Sequence, residues 1–123
     1  MSRHTVESQA DISFLIIGRK VVYMREFQRA AVRLHILHHA AEDEVHGAWL
    51  TKELGRHGYE VSPGTLYPTL HRLEADGLLV SQHRVVDGRV RRVYRATRAG
   101  RAALTQDRRA LRELAQEVLG NEK

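Results

Sequence analysis

The residues best suited to chemistry in this chain are histidines, and three of them lie close together. The chain has eight histidines among 123 residues, and His35, His38 and His39 fall within five consecutive positions. On a helix, His35 and His39 would point the same way, about one turn apart. Imidazoles at that spacing can chelate a borderline divalent ion such as zinc, cadmium, nickel or cobalt. Glu42, about one turn beyond His38, or a residue of a symmetry-related chain could complete the ligand set.

The same histidines also have an ordinary structural interpretation, because helix-surface histidines often flank a core stripe or hydrogen-bond across a dimer. We expect no required cofactor, and a divalent metal of the zinc or cadmium type would act as an effector. To have an effect, such an ion needs to bind one of two states of a protein better than the other by only about 1–3 kcal/mol. Catalysis is not expected, because the histidines lack an HExxH pattern and no second acid/base pair is evident.

Composition restricts the class of protein further. The chain has no cysteine, which excludes disulfides, thiolate nucleophiles and thiolate metal sites. Its longest apolar stretch, around residues 12–17, is too short to span a membrane and has no signal-peptide pattern around it. A chain of this length makes one domain, or one domain with an arm. These features predict a soluble cytoplasmic protein with no membrane partner.

Positive charge is concentrated in one segment. The net charge is +5, with a pI near 10.1. Between Ser81 and Arg101 there are seven arginines and one acid, Asp87, so this segment carries +6 and the rest of the chain carries −1. Biased codon usage would explain arginine in place of lysine, but it does not explain the clustering. The cluster therefore favours a docking face for nucleic acid phosphates. Its arginines are Arg84, Arg89, Arg91, Arg92, Arg95, Arg98 and Arg101.

Hydrophobic periodicity predicts an arm followed by three helices. Residues 1–23 are expected to form a flexible N-terminal arm, and residues 25–41 a first helix. The acidic residues 42–44 end that helix, and residues 46–57 form a second helix that Gly58 stops. The predicted inward stripe of the first helix consists of Phe27, Ala31, Leu34, Leu37 and Ala41.

The start of the third helix has two candidates. If Ser62 caps it, Pro68 falls inside the helix and removes one backbone hydrogen bond. If Thr65 caps it, Pro68 lies in the first turn, where its missing N–H loses nothing. We prefer Thr65. The helix then runs to Ala75, with its inner face formed by Leu66, Leu70 and Leu73.

A hairpin and a last helix follow. Residues 78–86 and 89–97 are predicted strands, and Asp87-Gly88 is a two-residue turn between them. Residues 98–119 form the last helix, capped by Thr97 and stopped by Gly120. Its apolar spacing fits either packing within the chain or contact between two chains, and we favour the dimer. The positions concerned are Leu104, Leu111, Leu114 and Val118.

The predicted fold class is α+β, mainly α: a winged helix-turn-helix with a two-stranded wing over residues 24–97, and a C-terminal dimerisation helix over 98–123. Such a domain places its third helix in the major groove and its basic hairpin on the flanking backbone. The outer face of the third helix carries Thr65, Tyr67, Pro68, His71 and Arg72, which suit phosphates and base edges. At or beside the hairpin tip are Arg89, Arg91 and Arg92.

Residues 24–119 resemble the PadR family of transcriptional regulators. The resemblance rests on the run Gly64-Thr65-Leu66-Tyr67-Pro68 within residues 61–79, on His46-Gly47 and on residues 91–101. The short last helix is similar to that of the family's small subfamily. The resemblance implies a homodimer, built from the first and last helices of two chains, that binds a palindromic double-stranded operator and represses a nearby operon. It implies that Thr65, Tyr67 and Arg72 face DNA, that Arg91 and Arg92 lie on the wing, and that Phe27 and Leu34 join the dimer contact.

Two other functions fit the same sequence. A dimeric module that senses drug-like small molecules would use the dimer interface as its ligand pocket. A nucleoid-associated protein would bind DNA without operator preference, with a salt dependence set by phosphate contacts alone.

Overall fold

The computed structural model of the protein describes residues 19–120, with side chains from Arg25 onward. The elements in chain order are α1 (Arg19–Glu42), β1 (Val45–His46), α2 (Gly47–Arg56), α3 (Pro63–Ala75), β2 (Leu79–Val86), β3 (Arg89–Ala96) and α4 (Arg98–Leu119). The chain divides into two units, and the second begins at Arg33. The predicted α+β, mainly α winged helix is confirmed. No helix in the described part of the chain is long and apolar enough to cross a membrane.

The first helix differs from its prediction at both its start and its inner face. It begins at Arg19, so residues 19–23 of the predicted arm are helical, while residues 1–18 lie outside the described residues. Its buried residues in the second unit are Ile36, Leu37 and Ala40, whereas Phe27 is 61% exposed. Of the predicted stripe, Leu37 is buried, Phe27 is exposed, and Ala31, Leu34 and Ala41 are half-buried, so the buried face is displaced around the helix toward Ile36 and Ala40.

The third helix begins at the N-cap that we did not prefer. Ser62 has extended backbone angles, and its carbonyl accepts the N–H groups of Thr65 and Leu66 at 3.0 and 2.8 Å. Pro63 occupies the first helical position, where a missing N–H has no partner to lose. Pro68 therefore lies inside α3 and leaves one backbone bond unmade. The first turn gained by starting at Pro63 offsets that lost bond. The inner face is as predicted, with Leu66, Leu70 and Leu73 buried.

The sheet has three antiparallel strands in the order β1-β3-β2, one more than predicted. The hairpin between β2 and β3 turns at Asp87 and Gly88, whose φ angles of 53° and 77° match a type I′ turn. The added strand β1 pairs Val45 with Tyr94 on β3. Tyr94 is almost fully buried, and burial raises the pKa of its hydroxyl. A two-residue strand gives no periodicity, so the sequence could not reveal it.

The last helix has the predicted bounds and caps. The Thr97 hydroxyl accepts the N–H of Gly100 at 3.0 Å, and Gly120 ends the helix with φ 69°. Leu104 is buried within the chain, which corrects its assignment to a surface between two chains. The other three apolar positions of the stripe remain exposed: Leu111 by 51%, Leu114 by 49% and Val118 by 69%.

The start of α4 lies against the turn that precedes β2. The N–H of Thr97 donates to the carbonyl of Leu78 at 3.0 Å, and the Thr97 hydroxyl donates to the carbonyl of Gly77. A Cβ at Gly100 would overlap the carbonyl group of Leu78. The base of the wing is thus closed by a contact between backbones that leaves no room for a side chain.

We expect Gly100→Ala to destabilise the protein by about 1–3 kcal/mol, because relief of the overlap requires a backbone shift. Gly55→Ala is the matched control, since its Cβ would meet nothing within 4 Å inside α2. The control should stabilise the protein slightly, by about 0.4–1 kcal/mol. Urea unfolding followed by circular dichroism measures both changes. Equal stability of the two variants would contradict the close approach at Gly100.

Candidate nucleic-acid interface and histidine cluster

The outer face of α3 is open to solvent. Opposite the three buried leucines, every polar or aromatic residue predicted for DNA contact is exposed: Thr65, Tyr67, His71 and Arg72, with Pro68 among them. The hydroxyl of Thr69 turns back to the carbonyl of Thr65 at 2.8 Å and so is satisfied within the helix. The face therefore presents an arginine, an imidazole and two hydroxyls from one rigid element.

Tyr67 is positioned by a glycine on the neighbouring helix. Its phenol lies over Gly47, the first residue of α2, so closely that a Cβ at Gly47 would overlap the hydroxyl and the ring. Tyr67 nevertheless remains 42% exposed. The ring therefore joins the starts of α2 and α3 on its inner side and faces solvent on the other.

His46 lies at the start of the second helix. It is the N-cap of α2, and its Nδ1 accepts the N–H of Trp49 at 3.3 Å. Burial, with the positive charge of Arg91 as a second cause, lowers the pKa of His46. A neutral imidazole leaves Nδ1 free to accept, as the cap requires.

The three wing arginines predicted for DNA contact differ in exposure. Arg89 and Arg92 are exposed, whereas Arg91 is half-buried and its Nε is buried without a hydrogen-bond partner. Arg92 donates from Nη1 to the Ser81 hydroxyl at 2.9 Å, and Ser81 donates to the Glu74 carboxylate at 2.7 Å. This chain of hydrogen bonds ties the wing to α3, because Glu74 lies on that helix.

A carboxylate that sequence reasoning missed lies against the other side of the wing. Glu44 precedes β1, and the Nε of Arg84 is 2.7 and 2.8 Å from its two oxygens. Gln82 donates to the same carboxylate at 3.3 Å, and Arg95 has Nη1 3.7 Å from it. The sequence signal was the acidic loop 42–44, but its partners became visible only once β1 was found beside β3.

The predicted metal cluster is assembled in part. His38, His39 and Glu42 each offer a ligand atom, and these atoms lie within 4.8 Å of one another. His35 is not in that group. Its ring stacks near those of His39 and His57, with centroids 6.0 and 4.9 Å away.

A second carboxylate, Glu53 on α2, faces the histidines from the opposite side. Its Oε2 lies 3.1 Å from Nε2 of His57 and 3.5 Å from Nε2 of His39. The hydrogen bond from Arg56, with that of His57, lowers the pKa of Glu53 to about 2. Sequence spacing could not find Glu53 and His57, because only the packing of α2 beside α1 brings them to the cluster.

The protonation and burial of the histidine rings suit the binding of a cation. Burial lowers the pKa of both His35 and His39, and the neighbouring histidines lower it further, which favours neutral imidazoles. Nε2 of His39 is buried and makes no hydrogen bond. The edge of Trp49 meets the same ring, with centroids 5.2 Å apart. A buried, unpaired imidazole nitrogen beside two carboxylates suits a divalent cation.

His38 is also held from the last helix. Nη2 of Arg108 lies 3.0 Å from Nδ1 of His38, and Nε2 of His38 lies 3.6 Å from Glu42. Arginine can only donate, so Nδ1 must accept, and in the neutral ring the proton then sits on Nε2. Nearby, Arg33 and Asp107 form an ion pair at 2.9 Å. Two polar contacts therefore join α1 to α4, and the histidine cluster makes one of them.

Comparisons with known proteins agree on one family. The profile described as the transcriptional regulator PadR-like family matches residues 36–106. Transcriptional regulator Rv3488 of Mycobacterium tuberculosis (strain ATCC 25618 / H37Rv) is 86% identical over 99 residues, which cover 80% of this chain and 92% of that protein.

Solved structures have the same fold. A PadR family transcriptional regulator from Eggerthella lenta DSM 2243 is 29% identical, with a TM-score of 0.71 over 87% of this chain and 93% of that one. A PadR-like transcriptional regulator from Bacillus cereus strain ATCC 14579 has a TM-score of 0.72 at 24% identity, covering 80% of this chain and 99% of that one. At that identity the likeness concerns the fold alone.

Proposed function

Because the chain belongs to the PadR-like family of transcriptional regulators, we propose that it binds a palindromic operator as a homodimer and represses a nearby operon until an effector releases it. The observation that carries this proposal is the solvent-exposed outer face of α3 beside an arginine-rich wing. Since its target is chromosomal DNA, we infer that it acts in the cytoplasm, associated with the nucleoid when bound.

In the proposed complex, α3 enters the major groove and the wing meets the adjacent backbone. His71 and Arg72 project where base edges and phosphates lie, since an arginine fork suits guanine or phosphate. Thr65 and the exposed edge of Tyr67 suit phosphate contacts. On the wing, Arg89 and Arg92 are the stronger contributors. Arg91 is the weakest of the three, because part of its guanidinium is buried.

The dimer proposal rests on the apolar stripe of α4. Leu111, Leu114 and Val118 lie on one side of the helix, and each is about half or more exposed. Phe27 is exposed and Leu34 is half-buried on α1, so both are available to a second chain. A two-fold dimer would present two copies of α3, which accounts for a palindromic operator.

Fluorescence anisotropy of labelled DNA from upstream of the protein's own gene, compared with scrambled DNA of equal length, tests the DNA-binding proposal. We expect tighter binding to the upstream fragment. Arg92→Ala should weaken binding to both DNAs and lower the slope of log affinity against log salt by about one for each phosphate that is no longer neutralised.

Arg109→Ala is the charge-matched control for Arg92→Ala. Arg109 is exposed on the side of α4 opposite the apolar stripe, and its removal changes the net charge equally. An identical slope for the two variants would remove Arg92 from the interface. Equal affinity of the wild type for both DNAs would favour a nucleoid-type role or a distant operator.

We expect Leu111→Glu to disrupt the dimer and with it operator binding, because a charge would be buried between two apolar stripes. Light scattering and anisotropy measure the two effects. Gln116→Glu introduces the same charge on the opposite side of α4 and should leave both unchanged. A dimer that persists in Leu111→Glu would show that α4 is not the main contact.

A divalent metal is the effector that we propose, with a drug-like small molecule at the dimer interface as the alternative. His39 and one or both of the carboxylates Glu42 and Glu53 would hold the ion, with His35, His38 or His57 completing the set. A bound cation would supply charge that draws the two carboxylates together across α1 and α2. Binding of the metal through Nε2 of His38 would require the ring proton to be on Nδ1 instead. Nδ1 could then no longer accept a hydrogen bond from Arg108. The contact between α1 and α4 would then change, which offers a route to the dimer geometry.

His39→Ala should abolish zinc or cadmium binding and any metal effect on DNA, while leaving DNA binding in chelator largely intact. Calorimetry measures metal binding, and the emission of Trp49, the chain's one tryptophan, reports on the ring that it contacts. His83→Ala, an exposed histidine on β2, is the control and should bind metal as the wild type does. Metal binding that survives His39→Ala would move the site elsewhere.

A further inference from the structure

We propose that Glu44 is a specificity-determining residue, which withholds Arg84 and Arg95 of the wing from DNA phosphates and so weakens binding to non-operator DNA. This inference rests on the proposed DNA binding. It assigns a role to an acid in a surface that is otherwise strongly basic, and it divides the wing arginines into two functional groups.

The contacts of Glu44 support this role directly. Both of its carboxylate oxygens lie within 2.8 Å of Nε of Arg84, and Nη1 of Arg95 lies 3.7 Å away. Arg84 and Arg95 belong to different strands of the wing, β2 and β3. One carboxylate therefore faces two of the arginines in the segment predicted to dock on phosphates.

Glu44 is more deeply buried than the two arginines that it contacts. The Glu44 side chain is only 23% exposed, whereas those of Arg84 and Arg95 are 50% and 53% exposed. The carboxylate is thus fixed beneath the arginines, and it is less screened by solvent than they are. The guanidinium groups remain open enough to reach a phosphate once the carboxylate charge is removed.

The register of the wing separates these arginines from the ones proposed to touch DNA. Arg95 pairs with Val80, and Arg92 pairs with His83, three residues nearer the turn on β3. Because side chains alternate between the faces of a sheet, Arg92 and Arg95 lie on opposite faces. Arg92 is held instead by Ser81. Arg89 shares the face of Arg84 and Arg95, but it pairs with Val86, two residues nearer the turn than Arg84. The carboxylate of Glu44 therefore offsets positive charge at Arg84 and Arg95 rather than at Arg89 and Arg92.

This arrangement affects specificity because non-specific affinity depends almost entirely on the number of phosphates neutralised. On an operator, base contacts fix the register of the wing, whereas on other DNA the wing can shift until each free arginine meets a phosphate. An additional free arginine therefore strengthens binding to other sequences more than binding to the operator, and it raises competition from the rest of the chromosome. A carboxylate placed beside surplus arginines lowers that background, while base contacts from α3 stay unchanged. Specificity is the difference between the affinity for the operator and the affinity for other DNA. Glu44 lowers the affinity for other DNA.

The test compares Glu44→Gln with Asp43→Asn. Each substitution raises the net charge by one per chain within the same loop, and each keeps a side-chain oxygen. Within residues 25–120, Asp43 forms no ion pair with an arginine, and its Oδ1 accepts the N–H of Glu44, which asparagine can also do. Salt titrations of both variants with scrambled and upstream DNA, read by anisotropy, separate general charge from the release of Arg84 and Arg95.

For Glu44→Gln we expect affinity for scrambled DNA to rise about threefold to tenfold at physiological salt. The salt slope should steepen by about one to two per chain, and the ratio of upstream to scrambled affinity should fall. Asp43→Asn should change the slope by much less. Adding Arg84→Gln to Glu44→Gln should restore most of the wild-type slope, because the released arginine is then gone.

Equal slopes for Glu44→Gln and Asp43→Asn would overturn the proposal. It would also be overturned if Glu44→Gln weakened binding to both DNAs at the wild-type slope, since Glu44 would then only hold the wing in place. Thermal unfolding confirms that each variant is folded before titration. A wild type with no operator preference would contradict the proposed function alone, because the slopes are compared on scrambled DNA.

Discussion

The close approach between the start of α4 and the turn before β2 is the constraint on which the rest of the structure depends. Thr97 bonds to the carbonyls of Gly77 and Leu78, and Gly100 leaves no space above Leu78. This contact holds the start of β2 next to the end of β3. It also joins the end of α3, the base of the hairpin and the first turn of α4. The helix α3 with its exposed outer face, the arginine-rich wing and the exposed apolar stripe of α4 are therefore positioned relative to one another by a few backbone atoms.

Part of the positive charge of this protein is paired with acidic side chains. The cluster of seven arginines gives the chain its basic character, yet Glu44 takes up Arg84 and approaches Arg95, and Arg92 is oriented by Ser81. The histidine cluster follows the same pattern, because Glu53 and Glu42 face it from two sides. The net positive charge indicates a polyanionic partner. The ion pairs determine which arginines are free to contact that partner.

Local signals in the sequence predicted the parts of the fold that local physics determines. The Asp87-Gly88 turn, the Thr97 cap, the Gly120 stop and the leucine face of α3 all lie where the sequence placed them. The same holds for the exposed residues of the candidate interface. The choice of Thr65 as the N-cap of α3 was a local error, because Ser62 begins that helix. Other errors came from contacts distant in sequence. Neither β1 beside Tyr94, nor Glu53 beside His39, nor the burial of Leu104 has a periodic or motif signal, because each depends on how complete elements pack.

The contact between Tyr67 and Gly47 has a consequence for how the protein can evolve. The phenol occupies the space that any side chain at position 47 would need, so a larger residue there requires the Tyr67 ring to move aside or to be replaced. A residue that fills position 47 disfavours, in turn, a tyrosine in this orientation at position 67. The two sites are therefore coupled, and the effect of a substitution at one depends on the residue at the other. In related chains the identities of these two residues should be inherited as a pair.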